Sequence, residues 1–165
     1  MIERRIQVGI GEFAVSNDPD VVVITHALGS CVAVCLWDED AGVAGLVHVL
    51  LPDSRINPQR AETQPGAFAD TGIPTLFHEA YRYGVRKERC QVRLIGGADI
   101  THANNATGGP SVGRRNIQAT RAVLWRNGVM VRGEELGGSI PRTVSIAVAS
   151  GRTQVSTAGH VEKEL

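Results

Sequence analysis

Residues 31–51 read CVAVCLWDEDAGVAGLVHVLL, which is two apolar runs separated by a short polar segment. The runs at 31–37 and 43–51 are rich in valine, leucine and other apolar residues, a composition typical of buried strands. The segment at 38–42 ends in glycine and predicts a hairpin-type loop. This stretch therefore predicts an antiparallel pair of strands that are buried along their length.

The flanking sequence predicts further strands and two main helices. A strand at 6–16 is broken at Gly9 or Gly11, and β-branched residues predict another at 21–28. Periodic apolar residues predict a helix over 68–84, with Pro74 in its first turn and Gly84 at its end. The other predicted elements are a strand at 90–99, a helix at 114–128 that stops at Gly128, and several short strands after 128.

Two polar stretches are predicted to be long loops, at 52–66 and 101–113, and such loops tend to be functional or mobile. Residues 159–165 are predicted to be a frayed tail. With 165 residues, the chain predicts one domain over 1–165. Its class is α+β, with mixed or antiparallel sheets packed together and flanked by the two main helices.

Charge and cysteine content restrict the possible functions. Lys plus Arg and Asp plus Glu number 17 each, so the formal net charge is zero, without the basic excess expected for binding nucleic acid or an anionic membrane. The three cysteines are an odd number and the start of the chain resembles no signal peptide, which argues against a secreted disulfide framework. No apolar run is long enough to span a bilayer. We therefore expect a cytoplasmic protein with reduced thiols.

Among the cysteines, Cys31 is the candidate nucleophile. It follows Leu-Gly-Ser at a turn between two strands, where backbone N–H groups are free to hold an oxyanion. We expect these donors to be the N–H groups of Ser30 and Cys31. Cys35 lies within a predicted strand core and Cys90 begins a strand, so both are interpreted as packing residues. Cys31 and Cys35 are separated by about 13 Å of extended chain, too far for one zinc ion, and we expect no metal or other cofactor.

The partner of a nucleophilic cysteine is a general base, and the hairpin proposes His48. A loop centred on Asp40 places Cys31 opposite Val49, with His48 one place away. A shift of one residue that pairs Cys31 directly with His48, or a bulge, would bring the two side chains onto the same face. Thr25, at the end of a predicted strand, can hydrogen-bond to a neighbouring imidazole. His26 is expected to point to the opposite face of that strand and is left unassigned.

Two glycine-rich segments, at 95–99 and 108–116, raise the question of phosphate binding. Neither matches the spacing of a phosphate-binding loop. Tight turns and close helix packing are the favoured interpretation of both segments.

Five motifs in this order resemble the CheD family of chemoreceptor glutamine deamidases: LGSCVAVCLWD with GLVHVLLP, FADTGIPTLFHEAYRYG, RLIGGAD, SVGRRN, and ELGGSIPRTVSIAVASG. The resemblance covers roughly residues 6–157. It implies a catalytic set of Cys31, His48 and Thr25. It also implies a fold shared with the catalytic domain of cytotoxic necrotizing factor.

The resemblance implies hydrolysis of glutamine side chains on methyl-accepting chemotaxis receptors, through a thioester at Cys31. It implies that a CheC-type phosphatase is a partner in some species. Two alternatives stay open: an adaptor that acts mainly by binding such a phosphatase, and a transglutaminase-like acyl transferase that uses the same thioester. The loops at 52–66 and 101–113 are candidates for gripping the receptor helix.

Overall fold

The computed structural model describes residues 2–100, 109–158 and 160–165. These residues form two five-stranded sheets that pack face to face. The strands are β1 (Arg4–Gln7), β2 (Phe13–Ser16), β3 (Val21–Leu28), β4 (Val32–Asp38), β5 (Val43–Val49), β6 (Gln91–Gly96), β7 (Val131–Leu136), β8 (Arg142–Ala147), β9 (Thr153–Thr157) and β10 (His160–Glu164).

Each sheet is mixed, with mostly antiparallel pairs. The first sheet has the order β1-β3-β8-β9-β10, and the second has the order β2-β5-β4-β6-β7. The parallel pairs are β1 with β3 and β6 with β7. The β4–β5 hairpin occupies the middle of the second sheet, which explains why every residue of both strands is buried.

Helices cover the outer face of the second sheet. The helices on this face are α2 (Ala69–Tyr81) and α3 (Val112–Arg126), whereas the short helix α1 (Pro58–Thr63) has no buried residue. One apolar core lies between the second sheet and helices α2 and α3, and another lies between the two sheets. This arrangement confirms the α+β class with two main helices. In the described part of the chain, none of the helices has the length and apolar character that a membrane crossing requires.

The hairpin register differs by one residue from the expected register. Ala33 pairs with His48 and Val32 with Val49, because Asp38 is the last residue of β4 rather than part of the loop. The loop is closed by Gly42, which donates to the carbonyl of Asp38 at 2.9 Å and has φ +67°. Since side chains alternate along a strand, this shift decides which residues share a face with His48.

The stretch at 52–66 was expected to be a loop, and this expectation is wrong. It contains a 3₁₀ turn at Ser54–Ile56 and helix α1, followed by a second 3₁₀ turn that begins at Pro65. Asp53 and Asn57 cap the first two elements with their side chains. Pro58 and Pro65 stand in first turns, where a missing N–H costs little, so these prolines begin helical turns instead of excluding them.

Two further expectations about element ends are corrected. Pro74 lies inside α2 rather than in its first turn, because the helix begins at Ala69. Residues 160–164 form β10 and pair with β9, where a frayed tail was expected. The tail is ordered by backbone pairing and by an ion pair between Arg152 and Glu164 at 2.9 Å. Residue 159 and residues 101–108 of the second expected loop lie outside the described part of the chain.

Candidate active site

Cys31 and His48 lie on the same face of the second sheet. His48 is opposite Ala33, and Cys31 precedes Ala33 by two residues, so the alternation of side chains gives all three the same orientation. This face is turned toward the first sheet, where Cys31 and Ala33 belong to the core between the sheets. The hairpin is therefore shifted in the direction opposite to a direct pairing of Cys31 with His48, and this shift still places both side chains on one face.

Thr25 reaches His48 from the opposite sheet. Its Oγ1 lies 2.7 Å from Nδ1 of His48, and both side chains are fully buried. Thr25 is on β3 and shares its face with Val21 and Val23, which belong to the core between the sheets. The structure thus brings Thr25 and His48 into direct contact across the space between the sheets.

The contacts of Thr25 fix the tautomer of His48. The Thr25 hydroxyl lies 2.6 Å from the backbone carbonyl of Val8, which can only accept a hydrogen bond. The single hydroxyl proton is therefore donated to Val8, and Thr25 Oγ1 accepts from the Nδ1–H of His48. His48 Nε2 then carries a lone pair, and it has no hydrogen-bond partner among the described residues. That nitrogen is free to accept a proton.

Burial sets the charge state of both candidate groups. Burial lowers the pKa of His48 to about 4. Burial also raises the pKa of the Cys31 thiol, and its own backbone N–H partly offsets this effect. At neutral pH the resting thiol and the resting imidazole are therefore both neutral. This site suits proton transfer during attack better than a preformed thiolate–imidazolium pair.

The connection between β1 and β2 passes across this site and holds His48. Gly11 donates its N–H to the carbonyl of His48 at 2.8 Å, and the N–H of His48 donates to the carbonyl of Glu12 at 3.0 Å. Gln64 supports this connection by donating to the carbonyl of Ile10 at 3.1 Å. Both the backbone and the imidazole of His48 are thus fixed by chain segments outside the hairpin.

An irregular turn presents Cys31. The pairing of β3 with β8 shifts between Thr25 and Leu28, and Ala27 in this bulge has φ +57°. A non-glycine residue in the left-handed region is uncommon and marks local strain. Gly96, at the end of β6, lies against the backbone of Cys31. A Cβ on Gly96 would lie 2.2 Å from the carbonyl oxygen of Cys31, so only glycine fits there. The glycine-rich segment at 95–99 serves close packing, as the sequence indicated.

The other candidate residues are separated from this site. Cys35 is fully buried in the core between the sheets, and burial raises its pKa to about 12. Burial also raises the pKa of Cys90 to about 12. His26 is exposed and lies 3.4 Å from the Thr143 hydroxyl, on the side of β3 that was expected. Within the described ranges, no three His, Cys, Asp or Glu side chains are grouped to hold a metal ion.

Sequence reasoning missed one buried polar residue near the site, Asn116. It lies in α3 in a stripe of buried residues with Thr120, Val123 and Leu124. The spacing of these residues along a helix could have identified Asn116 from the sequence. A polar residue within a buried stripe is normally hydrogen-bonded to the protein.

The fold and the site define a class of protein. It is a two-sheet α+β protein with a cysteine and a threonine-bound histidine at the interface of its sheets. Residues 50–157 match the family model described as CheD chemotactic sensory transduction, and this chain belongs to the CheD family.

Curated relatives match almost the whole chain. The chain is 44% identical over 156 residues to the probable chemoreceptor glutamine deamidase CheD 2 of Anaeromyxobacter dehalogenans. This match covers 94% of this chain and 96% of the relative. The chain is 40% identical over 158 residues to the probable chemoreceptor glutamine deamidase CheD 1 of Syntrophus aciditrophicus, and this match covers 96% of this chain and 97% of the relative. It is 36% identical over 156 residues to the chemoreceptor glutamine deamidase CheD of Thermotoga maritima, with 94% of each chain covered.

Proposed function

We propose that this protein hydrolyses glutamine side chains of methyl-accepting chemotaxis receptors to glutamate and releases ammonia. The names of its relatives, which are chemoreceptor glutamine deamidases, support this substrate. The observation that carries the chemistry is the 2.7 Å contact between Thr25 and His48, which leaves Nε2 of His48 as a free base on the face that bears Cys31.

Cys31 acts as the nucleophile in this proposal. His48 Nε2 takes the thiol proton as Sγ attacks the carboxamide carbon, so the thiolate forms only during the attack. Thr25 stabilises the resulting imidazolium by accepting from Nδ1–H, and the carbonyl of Val8 holds the hydroxyl in that orientation. This role corresponds to the third group of other catalytic triads.

The tetrahedral intermediate needs donors for its oxyanion, and the N–H groups of Ser30 and Cys31 are available. Among the described residues, no backbone carbonyl accepts a hydrogen bond from either group. The intermediate collapses when the imidazolium of His48 gives its proton to the departing nitrogen, which leaves as ammonia. His48 then takes a proton from water, the hydroxide attacks the thioester, and Sγ regains a proton as the glutamate product leaves.

Two alternative functions remain proposals. A transglutaminase-like enzyme would form the same thioester but pass the acyl group to an amine instead of water. An adaptor would bind a CheC-type phosphatase without chemistry at Cys31. The ordered Thr25–His48 pair supports an enzyme, because a binding surface gains nothing from a buried base with a free nitrogen.

The proposal is tested by incubating the protein with a receptor cytoplasmic fragment and mapping the fragment by mass spectrometry. We expect a gain of about one dalton at particular glutamines and release of one ammonia for each, since hydrolysis replaces NH₂ by OH. Added primary amine should not be incorporated. An unchanged fragment would contradict the deamidase proposal, and incorporation of the amine would instead support acyl transfer.

The pH dependence follows from the buried imidazole. Since burial lowers the pKa of His48 to about 4, the base stays neutral well below the range of an ordinary histidine. We expect kcat/KM for the receptor fragment to fall only near pH 4, with circular dichroism used to show that the protein is still folded. An acid limb near pH 6.5 in folded protein would contradict this description of the base.

A further inference from the structure

A buried asparagine in α3 connects the two chain segments that carry Cys31 and His48. Asn116 Nδ2 donates to the carbonyl of Ser30 at 2.8 Å and to the carbonyl of Leu50 at 3.0 Å. Ser30 directly precedes Cys31, and Leu50 follows His48 by two residues. One fully buried side chain therefore contacts both halves of the candidate active site.

We infer that Asn116 is a positioning residue, which holds the Ser30–Cys31 peptide and the end of β5 in the arrangement needed for attack by Cys31. The inference rests on the proposed function for its activity measurement. It also has a readout that needs no receptor, the reactivity of the Cys31 thiol.

Peptide geometry explains how Asn116 acts on Cys31. In a planar trans peptide, the C=O of one residue and the N–H of the next point in opposite directions. By holding the Ser30 carbonyl, Asn116 also fixes the direction of the Cys31 N–H, a proposed oxyanion donor. Burial raises the pKa of the Cys31 thiol, and this same N–H partly offsets that rise. Release of the peptide would therefore weaken both the donor and the acidity of the thiol.

The second contact of Asn116 fixes the segment that follows His48. Leu50 also donates its N–H to the carbonyl of Ala67 at 2.9 Å, so both backbone groups of this residue are held. The two acceptors are carbonyl oxygens, which settles that the side-chain nitrogen faces them. An aliphatic residue in the buried stripe of α3 would pack without any of these hydrogen bonds. The need for two donors at this point accounts for an asparagine there.

The test compares Asn116→Leu and Asn116→Ala with the matched control Thr120→Val. Leucine keeps the branched shape and the number of heavy atoms of asparagine, although it is bulkier, and it has no donors, while alanine removes most of the side chain. Thr120 is equally buried, one turn further along the same helix, and its hydroxyl has no hydrogen-bond partner among the described residues. Each variant is assayed for kcat and KM on the receptor fragment. Each is also assayed for the pH dependence of Cys31 alkylation by iodoacetamide, located by peptide mapping.

We expect Asn116→Leu to lower kcat by about 10- to 100-fold with KM changed by less than about 3-fold, because misplacement of reacting groups affects the chemical step. Its alkylation profile should move to higher pH, and Asn116→Ala should behave similarly. Thr120→Val should match the wild type in both assays. The inference is overturned if Asn116→Leu keeps the wild-type kcat and alkylation profile, or if Thr120→Val shows the same losses. If the wild type does not deamidate the receptor, the proposed function fails, but the alkylation profiles still decide the role of Asn116.

Discussion

Replacement of Cys31 by alanine is expected to remove deamidation of the receptor fragment, with a loss of at least about 10⁴-fold in kcat. No other thiol can replace it. Cys35 lies deep in the core between the sheets, and burial holds its pKa and that of Cys90 near 12. The fragment should still bind, since the substitution removes only the sulfur atom. The measurement is the rate of mass gain at receptor glutamines under saturating substrate.

The matched control for this variant is Cys35→Ala. Cys35 lies in β4 on the same face as Cys31, and it is equally a free cysteine. Its replacement leaves a small cavity and lowers stability by about 1 kcal/mol, without a direct effect on the reaction. Equal deamidation by Cys31→Ala and the wild type would show that Cys31 is not the nucleophile.

His48→Gln is expected to lower kcat by about 10³-fold, in the middle of the range for loss of a general base. Glutamine can still donate to Thr25, so the contact between the sheets need not be lost, but its amide cannot take the thiol proton. Alkylation of Cys31 by iodoacetamide should also slow at neutral pH, because the thiol loses its proton acceptor. Both rates are measured on variants whose thermal unfolding is recorded in parallel.

His26→Gln is the control histidine for this experiment. It is exposed, and it lies near Thr143 instead of facing Thr25 or Cys31. We expect it to retain the wild-type kcat. If His26→Gln lost activity while His48→Gln retained it, the assignment of the base would be reversed.

Local sequence patterns predicted the fold class because its strands and main helices carry strong apolar periodicity. The α+β class, the β4–β5 hairpin and the two main helices followed from apolar runs such as 31–37 and from the apolar stripe in α2. The helical turns of 52–66 were missed because a polar stretch that contains prolines is typical of a loop, although Pro58 and Pro65 can also begin helical turns. Pairing of β10 with β9 was missed because it depends on a tertiary contact that a short charged segment does not reveal.

The candidate site was predictable in its residues but not in its geometry. Cys31 and His48 were identified by their sequence context, yet the face they share depends on one residue of hairpin register. That residue is Asp38, whose place at the end of β4 is set by the closure of the turn at Gly42. The role of Val8 was not predictable, because it acts through a backbone carbonyl from a distant strand connection.

The central claim is that Cys31 attacks a receptor glutamine, and the most direct measurement identifies the atom that attacks. A receptor fragment whose target glutamine is replaced by the diazoketone analogue 6-diazo-5-oxonorleucine would alkylate the attacking sulfur and lose dinitrogen. Peptide mapping of the protein should then find the adduct on Cys31 alone. An adduct on Cys35 or Cys90, or no adduct from a protein that deamidates the native fragment under the same conditions, would contradict the claim.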